Sequence, residues 1–312
     1  MSRDVSSLAV GRIERLIALR SFPVYSQMPT QAVMRIGARM QERFYRKGEY
    51  LAREGEPSSH LHFIVRGQVE LRRNGKVLRR LGDLSVAGGI AALAEDPHGY
   101  DIEALADTTT LRAAVEDAWD NFEDHFPLHR GLIQRLGTEI FHLRRQLPGA
   151  GFKPTEWQPG GPMPRELDLV GRMAALRNVL TFAGSNVEAL ADLAKDIEEV
   201  RFDEPTHLWD SGDPSTCFYV IRHGVVRGRA DDGETLRFGP GDTAGSLEST
   251  AGLPRWYDAA TEGSFLALRI ERDAIFDVLE DHFQFARRMT TALASFMLQL
   301  MEQNAPAPGT DP

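Results

Sequence analysis

The sequence contains one pattern twice. An offset of 157 positions lays Gly55-Glu56-Pro57-Ser58-Ser59 over Gly212-Asp213-Pro214-Ser215-Thr216, Gly67 over Gly224 and Val69 over Val226. It also aligns Pro97 with Pro254, Tyr100-Asp101 with Tyr257-Asp258, and Leu111-Arg112 with Leu268-Arg269. Glu123-Asp124-His125-Phe126 falls on Glu280-Asp281-His282-Phe283. The matches run through the whole module, so the 312 residues are two copies of one domain in tandem.

Each copy reads as helices around short strands. In the first, Leu8, Val10, Ile13, Leu16 and Ile17 predict a helix over about 8–19, and Pro29-Thr30 opens a second over 30–43. Strands follow at 50–52, 61–65, 69–71, 77–78, 101–106 and 109–114. Glu54-Gly55-Glu56-Pro57, Gly67 and Asn74-Gly75 supply the turns between them. A short helix over 116–126 precedes a break at Pro127 and a longer helix to Leu147. Its Leu132, Leu136, Ile140, Leu143 and Leu147 suit either a helix-pairing seam or a face packed on its own roll.

The second copy repeats the order. Helices are predicted over 167–180 and 186–194, and strands at 199–202, 207–209, 217–221, 225–229, 235–238, 258–261 and 265–270. Asp232-Gly233 turns a hairpin, a short helix covers 274–279, and a last helix carries Phe285, Met289, Leu293, Phe296, Met297, Leu300 and Met301. The expected fold is α+β: two tandem β-roll domains (double-stranded β-helix, jelly-roll-like) flanked by helices. The domains run 1–147 and 167–304, joined by a Pro/Gly-rich linker at 148–166 that holds Trp157, with a disordered tail at 305–312.

Composition excludes several functions. The chain is 42% hydrophobic and 26% charged with a net charge of −9, a poor balance for nonspecific binding to nucleic acid or acidic membrane. No apolar run is long enough to span a bilayer and no signal peptide is read, while a single cysteine, Cys217, forms no internal disulfide. A cytoplasmic protein is expected. No nucleophile elbow, Walker loop, dinucleotide fingerprint or metal-ligand set is present, so neither catalytic residues nor metal ligands are assigned.

One stretch has the shape of a phosphate cradle. Gly241-Asp242-Thr243-Ala244-Gly245-Ser246-Leu247-Glu248 turns into a short helix, and Pro254-Arg255-Trp256-Tyr257-Asp258 returns the chain to a strand. Free N–H groups at a helix start attract anions, Gly lets a phosphate approach the backbone, and an arginine can close on it as a fork. These residues resemble the phosphate-binding cassette of the cyclic nucleotide-binding domain, found in the catabolite activator protein and in regulatory subunits of cAMP-dependent protein kinase. Gly245, Pro254 and Arg255 match the cassette; Ser246 stands where the family has the ribose-binding Glu, and Tyr257 where it has Ala. In the first copy Gly88-Gly89 takes the Gly-Glu step and His98 the Arg position, in a cassette two residues longer between Gly-Asp and Pro. The ligand-binding candidates are Gly245, Ser246, Leu247, Arg255, Trp256, Gly88, Gly89 and His98. Glu248, two residues past the expected position, would point to a different side of its helix.

What the resemblance implies is a non-catalytic regulatory protein that senses a cyclic nucleotide or related phosphorylated molecule mainly through its second domain, with no other cofactor. The altered cassettes leave a second reading open: a ligand-independent scaffold that binds a protein partner or itself through its C-terminal helices. A tyrosine filling the space of a nucleotide would account for the Tyr-Asp pair in both copies.

Overall fold

The computed structural model of the chain describes residues 12–26, 28–147, 165–179, 182 and 185–306. Almost all of the predicted linker, with Trp157, and most of the predicted tail lie outside the described residues, as does the start of the first predicted helix.

The first copy contains α1 (Arg12–Ser21), a single 3₁₀ turn (Pro23–Tyr25), α2 (Thr30–Arg39), β1 (Gln41–Tyr45), β2 (Tyr50–Ala52), β3 (His60–Arg66), β4 (Val69–Arg73) and β5 (Lys76–Leu81). It continues with β6 (Val86–Ala87), α3 (Gly89–Leu93), β7 (Asp101–Ala104), β8 (Thr108–Ala114), α4 (Val115–Asp124) and α5 (Phe126–Arg145). The second copy has α6 (Leu169–Arg177), α7 (Val187–Lys195), β9 (Glu198–Phe202), β10 (His207–Trp209), β11 (Cys217–His223), β12 (Val226–Ala230) and β13 (Thr235–Phe238). It ends with β14 (Thr243–Ala244), α8 (Ser246–Ala251), β15 (Tyr257–Thr261), β16 (Phe265–Glu271), α9 (Arg272–Asp281) and α10 (Phe283–Asn304).

Each roll is a sandwich of two four-stranded antiparallel sheets. The first roll's sheets run β1-β8-β3-β6 and β2-β7-β4-β5; the second's run β9-β16-β11-β14 and β10-β15-β12-β13. The orders are the same once the offset is applied. Alternation makes the inner faces apolar: along β12, Val226, Gly228 and Ala230 are buried while Arg227 and Arg229 are exposed. Trp209, Tyr219, Leu236, Phe238, Tyr257 and Phe265 fill the second interior. Ile64, Val69, Leu71, Tyr100 and Ile102 fill the first, together with Leu298 from α10.

The chain packs into two compact units. One unit comprises Met1–Gly131 and Leu298–Pro312, the other Leu132–Met297. Helices α5 and α10 each begin in one unit and end in the other.

Three local expectations need correction. The helix expected over 30–43 stops at Arg39, and 41–45 is β1, paired with β8 from Gln41↔Arg112 to Tyr45↔Thr108. Met40 turns extended at the helix end, and the sheet takes the residues that follow. Pro127 does not break a helix but sits inside the first turn of α5, where its missing N–H costs no bond. The first cassette is not two residues longer. Leu84, at φ 61°, donates to the Ile64 carbonyl as Gly241, at φ 92°, donates to that of Ile221. The offset therefore holds through both cassettes, and Leu84 rather than Gly82 is the partner of Gly241.

Candidate functional site: the two cassettes

The repeated acidic-turn segment positions the cassette. In the second copy the Gly212 N–H donates to the Arg255 carbonyl at 2.8 Å and the Arg255 N–H to the Asp213 carbonyl at 2.8 Å. The Ser215 hydroxyl donates to the carbonyls of Glu248, at 3.1 Å, and of Leu253. Ser249 returns the favour, donating to the Ser215 carbonyl at 3.0 Å. The first copy keeps the first of these bonds, from Gly55 N–H to the His98 carbonyl at 2.6 Å. The duplicated Gly-acidic-Pro-Ser turn is thus a strap that fixes where the strand after the cassette begins.

Gly245 precedes α8 in the left-handed conformation, φ 83°, and Gly88 precedes α3 at φ 82°. Both positions are closed to a side chain by space as well as by strain. A Cβ on Gly88 would lie 2.6 Å from the His60 carbonyl, and one on Gly245 would collide with Nη1 of Arg255.

Arg255 does not face an open cradle. It is 3% exposed. Its Nη1 donates to the Gly245 carbonyl at 3.2 Å and to Glu248 Oε1 at 3.4 Å, its Nη2 to the Cys217 carbonyl, and its guanidinium lies 4.0 Å over the Trp209 ring. The Arg255 Nε has no partner among the described residues. Glu248 is equally buried; burial pushes its carboxyl up, against the pull of Arg255 and of the Trp256 indole N–H. The Glu248 carboxylate serves the arginine. Cys217 is a buried free thiol in the wall of this site.

Each roll encloses a tyrosine at the repeated Tyr-Asp pair. Tyr100 and Tyr257 are each 1% exposed. Burial pushes the Tyr100 phenol up to about 12, while hydrogen bonds from the Ala91 and Gly88 backbone pull it down. Burial raises Tyr257 further, with Glu248 adding to the rise; Arg255 and a hydrogen bond from the Gly245 backbone oppose it. Each phenol is therefore enclosed beside the residues that open α3 and α8.

The remaining candidates are dispersed. Ser246 shares a hydrogen bond of 2.8 Å with the Thr243 hydroxyl. Gly89 is buried in the first turn of α3. His98 has a side chain 72% exposed, with Nδ1 3.9 Å from Asp96, so it is not turned inward as Arg255 is. Leu247 and Trp256 line a pocket of about 40 Å³ with Phe141, Arg144, Arg145, Leu147, Asp232 and Glu234. There Arg145 pairs with Asp232 at 2.6 Å and Glu234 at 3.7 Å and lies 5.0 Å over the Trp256 ring; Phe141 meets the same ring edge-on at 5.8 Å.

Helix α5 thus closes on the second cassette. Neither reading of its apolar seam anticipated that; the one sequence signal was Gly137, a small residue within the helix. A Cβ there would lie 3.1 Å from that of Ala251 at the end of α8. Sequence reasoning also missed Trp209, because the offset sets it against Ala52. Among the described residues no group of His, Cys, Asp and Glu is placed to hold a metal ion, and no helix is long and apolar enough to cross a membrane.

Comparison with known proteins agrees with this architecture. The family model for the cyclic nucleotide-binding domain matches residues 42–125 and again 199–282. The CRP-like cAMP-activated global transcriptional regulator of two Mycobacterium tuberculosis strains is 30% identical over 118 residues, 36% of this chain and 53% of the relative. The chain thus spans about half the length of the curated relatives it matches. Similar solved structures include the regulatory subunit of a cAMP-independent protein kinase A from Trypanosoma brucei, at 15% identity and TM-score 0.33, covering 88% of this chain and 91% of that one. The N-terminal domain of a Streptomyces coelicolor transcriptional regulator has 21% identity and TM-score 0.32, covering 36% of this chain and 83% of that one. Two matched segments, one in each roll and each including its cassette, place the chain in the cyclic nucleotide-binding domain family, with the domain present twice.

Proposed function

We infer that this is a non-catalytic, cytoplasmic regulatory protein whose rolls keep their shape without a cyclic nucleotide, and which acts through protein contacts. The observation that carries this reading is the tyrosine enclosed in each roll. A phosphate entering either cassette would meet a fully enclosed phenol beside the residues that open its helix. In the second copy it would also have to recruit an arginine already committed to Glu248, Gly245 and Cys217. The pocket beside Leu247 and Trp256, about 40 Å³, is far below the roughly 300–1,000 Å³ of small-molecule sites. The name of the Mycobacterium relatives attaches cAMP activation to their chains; the enclosed tyrosines weigh against carrying that property over.

The rival reading is a sensor in which the second domain takes a nucleotide or other phosphorylated ligand. It rests on Gly245, still left-handed at the start of α8, and on Arg255, still reaching its carbonyl. Isothermal titration and thermal shift with cAMP, cGMP, cyclic dinucleotides and plain nucleotides separate the two. The expected result is no heat and no shift at millimolar ligand. Low-micromolar binding of any of them, weakened by Arg255→Lys, would establish the sensor.

A further inference from the structure

The outer face of the sheet β10-β15-β12-β13 carries two arginines that no ion pair engages among the described residues. Arg227 on β12 stands directly across from Arg237 on β13 and from Ala260 on β15, which in turn faces His207 on β10. Like charges directly opposite on neighbouring strands weaken a sheet. Arg237 is paired with Glu262 at 3.3 Å, and His207 Nε2 lies 3.3 Å from Asp210. Arg229 faces Thr235 and Asp258, whose carboxylate keeps its charge while accepting the Ser211 N–H at 2.8 Å but makes no ion pair with Arg229. Both Arg227 and Arg229 are exposed, and neither has an ion-pair or hydrogen-bond partner among the described residues.

The first roll builds the same face differently. The offset puts Glu70 where Arg227 stands, Arg72 at Arg229, Arg80 at Arg237 and Glu103 at Ala260. Glu70 is 1% exposed, held between Arg72 and Arg80 with Arg80 Nε at 2.7 Å. That face neutralises itself. The second face leaves Arg227 and Arg229 without an ion pair among the described residues, and Gly228 between them lies against Tyr257, whose Cδ2 would be 2.6 Å from a Cβ at that position.

We propose that this face docks an extended acidic segment of a partner protein, with carboxylates at alternate positions engaging Arg227 and Arg229. The two guanidinium groups leave one strand about 7 Å apart, the repeat at which an extended peptide presents alternate side chains. Each fork can take a carboxylate through paired hydrogen bonds. Two free arginines on this face and a net charge of −9 make a poor track for nucleic acid, which needs a run of phosphate contacts and is repelled at long range.

Fluorescence anisotropy on the full chain tests this with three labelled ligands: a peptide of alternating Glu and Ser, its Gln and Ser counterpart, and an oligothymidylate. The expected result is binding of the Glu peptide roughly tenfold tighter than the Gln peptide, weakening with added salt and lost in Arg227→Glu/Arg229→Glu. Arg227→Glu alone recreates the first roll's pairing with Arg237 and raises the melting temperature, so the loss is not misfolding. Equal binding by the double variant, a tighter grip on the oligothymidylate, or no binding of the Glu peptide would each overturn the assignment.

Discussion

Arg255 is a cation with almost no water contact, and its cost is carried by what surrounds it. Two carbonyls, the Glu248 carboxylate and the Trp209 face share its charge. Arg255→Ala leaves Glu248 buried and unpaired, so urea titration is expected to show a loss of about 3–5 kcal/mol. Arg255→Met combined with Glu248→Leu removes both charges and recovers most of that loss. Histidine chemistry sets a second residue-scale expectation. Burial, with help from His60 and Arg112, pushes His62 down to about 4, and burial alone does the same to His129. Both are neutral when folded, and their unfolded values lie near 6.5. The unfolded chain therefore takes up protons first as pH falls. Stability is full above pH 6.5 and declines toward pH 4, by at most about 1.4 kcal/mol per pH unit for each histidine. Denaturation across that range should show the slope, and His62→Phe should remove about half of it.

At the scale of elements, the cassette helices are defined by what meets their ends. Gly245→Ala introduces strain at positive φ and a clash with Arg255, whereas Gly212→Ala, at φ 92° with open space around it, introduces strain alone. Thermal denaturation should therefore rank the first well above the second, which should cost about 1 kcal/mol. Gly137→Leu drives a side chain into Ala251 and should speed amide exchange in α8 while leaving β12 and β15 protected. The elements were also where the sequence was read most unevenly. Strand β9 is legible in Glu199–Phe202, whereas the helix predicted over 30–43 overlaps only the first three residues of its counterpart β1, because a mixed polar and aromatic run after a helix has no period of its own. Applying the offset to β9 would have found it.

At the scale of the whole molecule, residues distant in the chain complete the first compact unit, which includes the end of α10. Leu298 lies in the first roll's core cluster, and Glu302 pairs with Arg73 at 3.1 Å. Ending the chain at Met297 should lower the melting temperature, and amide exchange should rise in β4 and β7 more than in β11 and β16. Leu298→Ala alone should cost about 2–5 kcal/mol. If exchange in β4 is unchanged by the truncation, the helix end contributes nothing to that roll.

The residues by themselves determined that the domain is duplicated, that it is a roll of short strands, and where its cassettes fall. Those follow from the offset, from alternation and from turn chemistry, all local along the chain. Only the tertiary structure decided that Tyr100 and Tyr257 are fully enclosed, that Arg255 is turned inward onto Glu248 and Trp209, and that α5 covers the second cassette. Each depends on which distant side chains share a buried space. Burial rewards whatever fills that space and satisfies its hydrogen bonds, and a motif does not record what fills it.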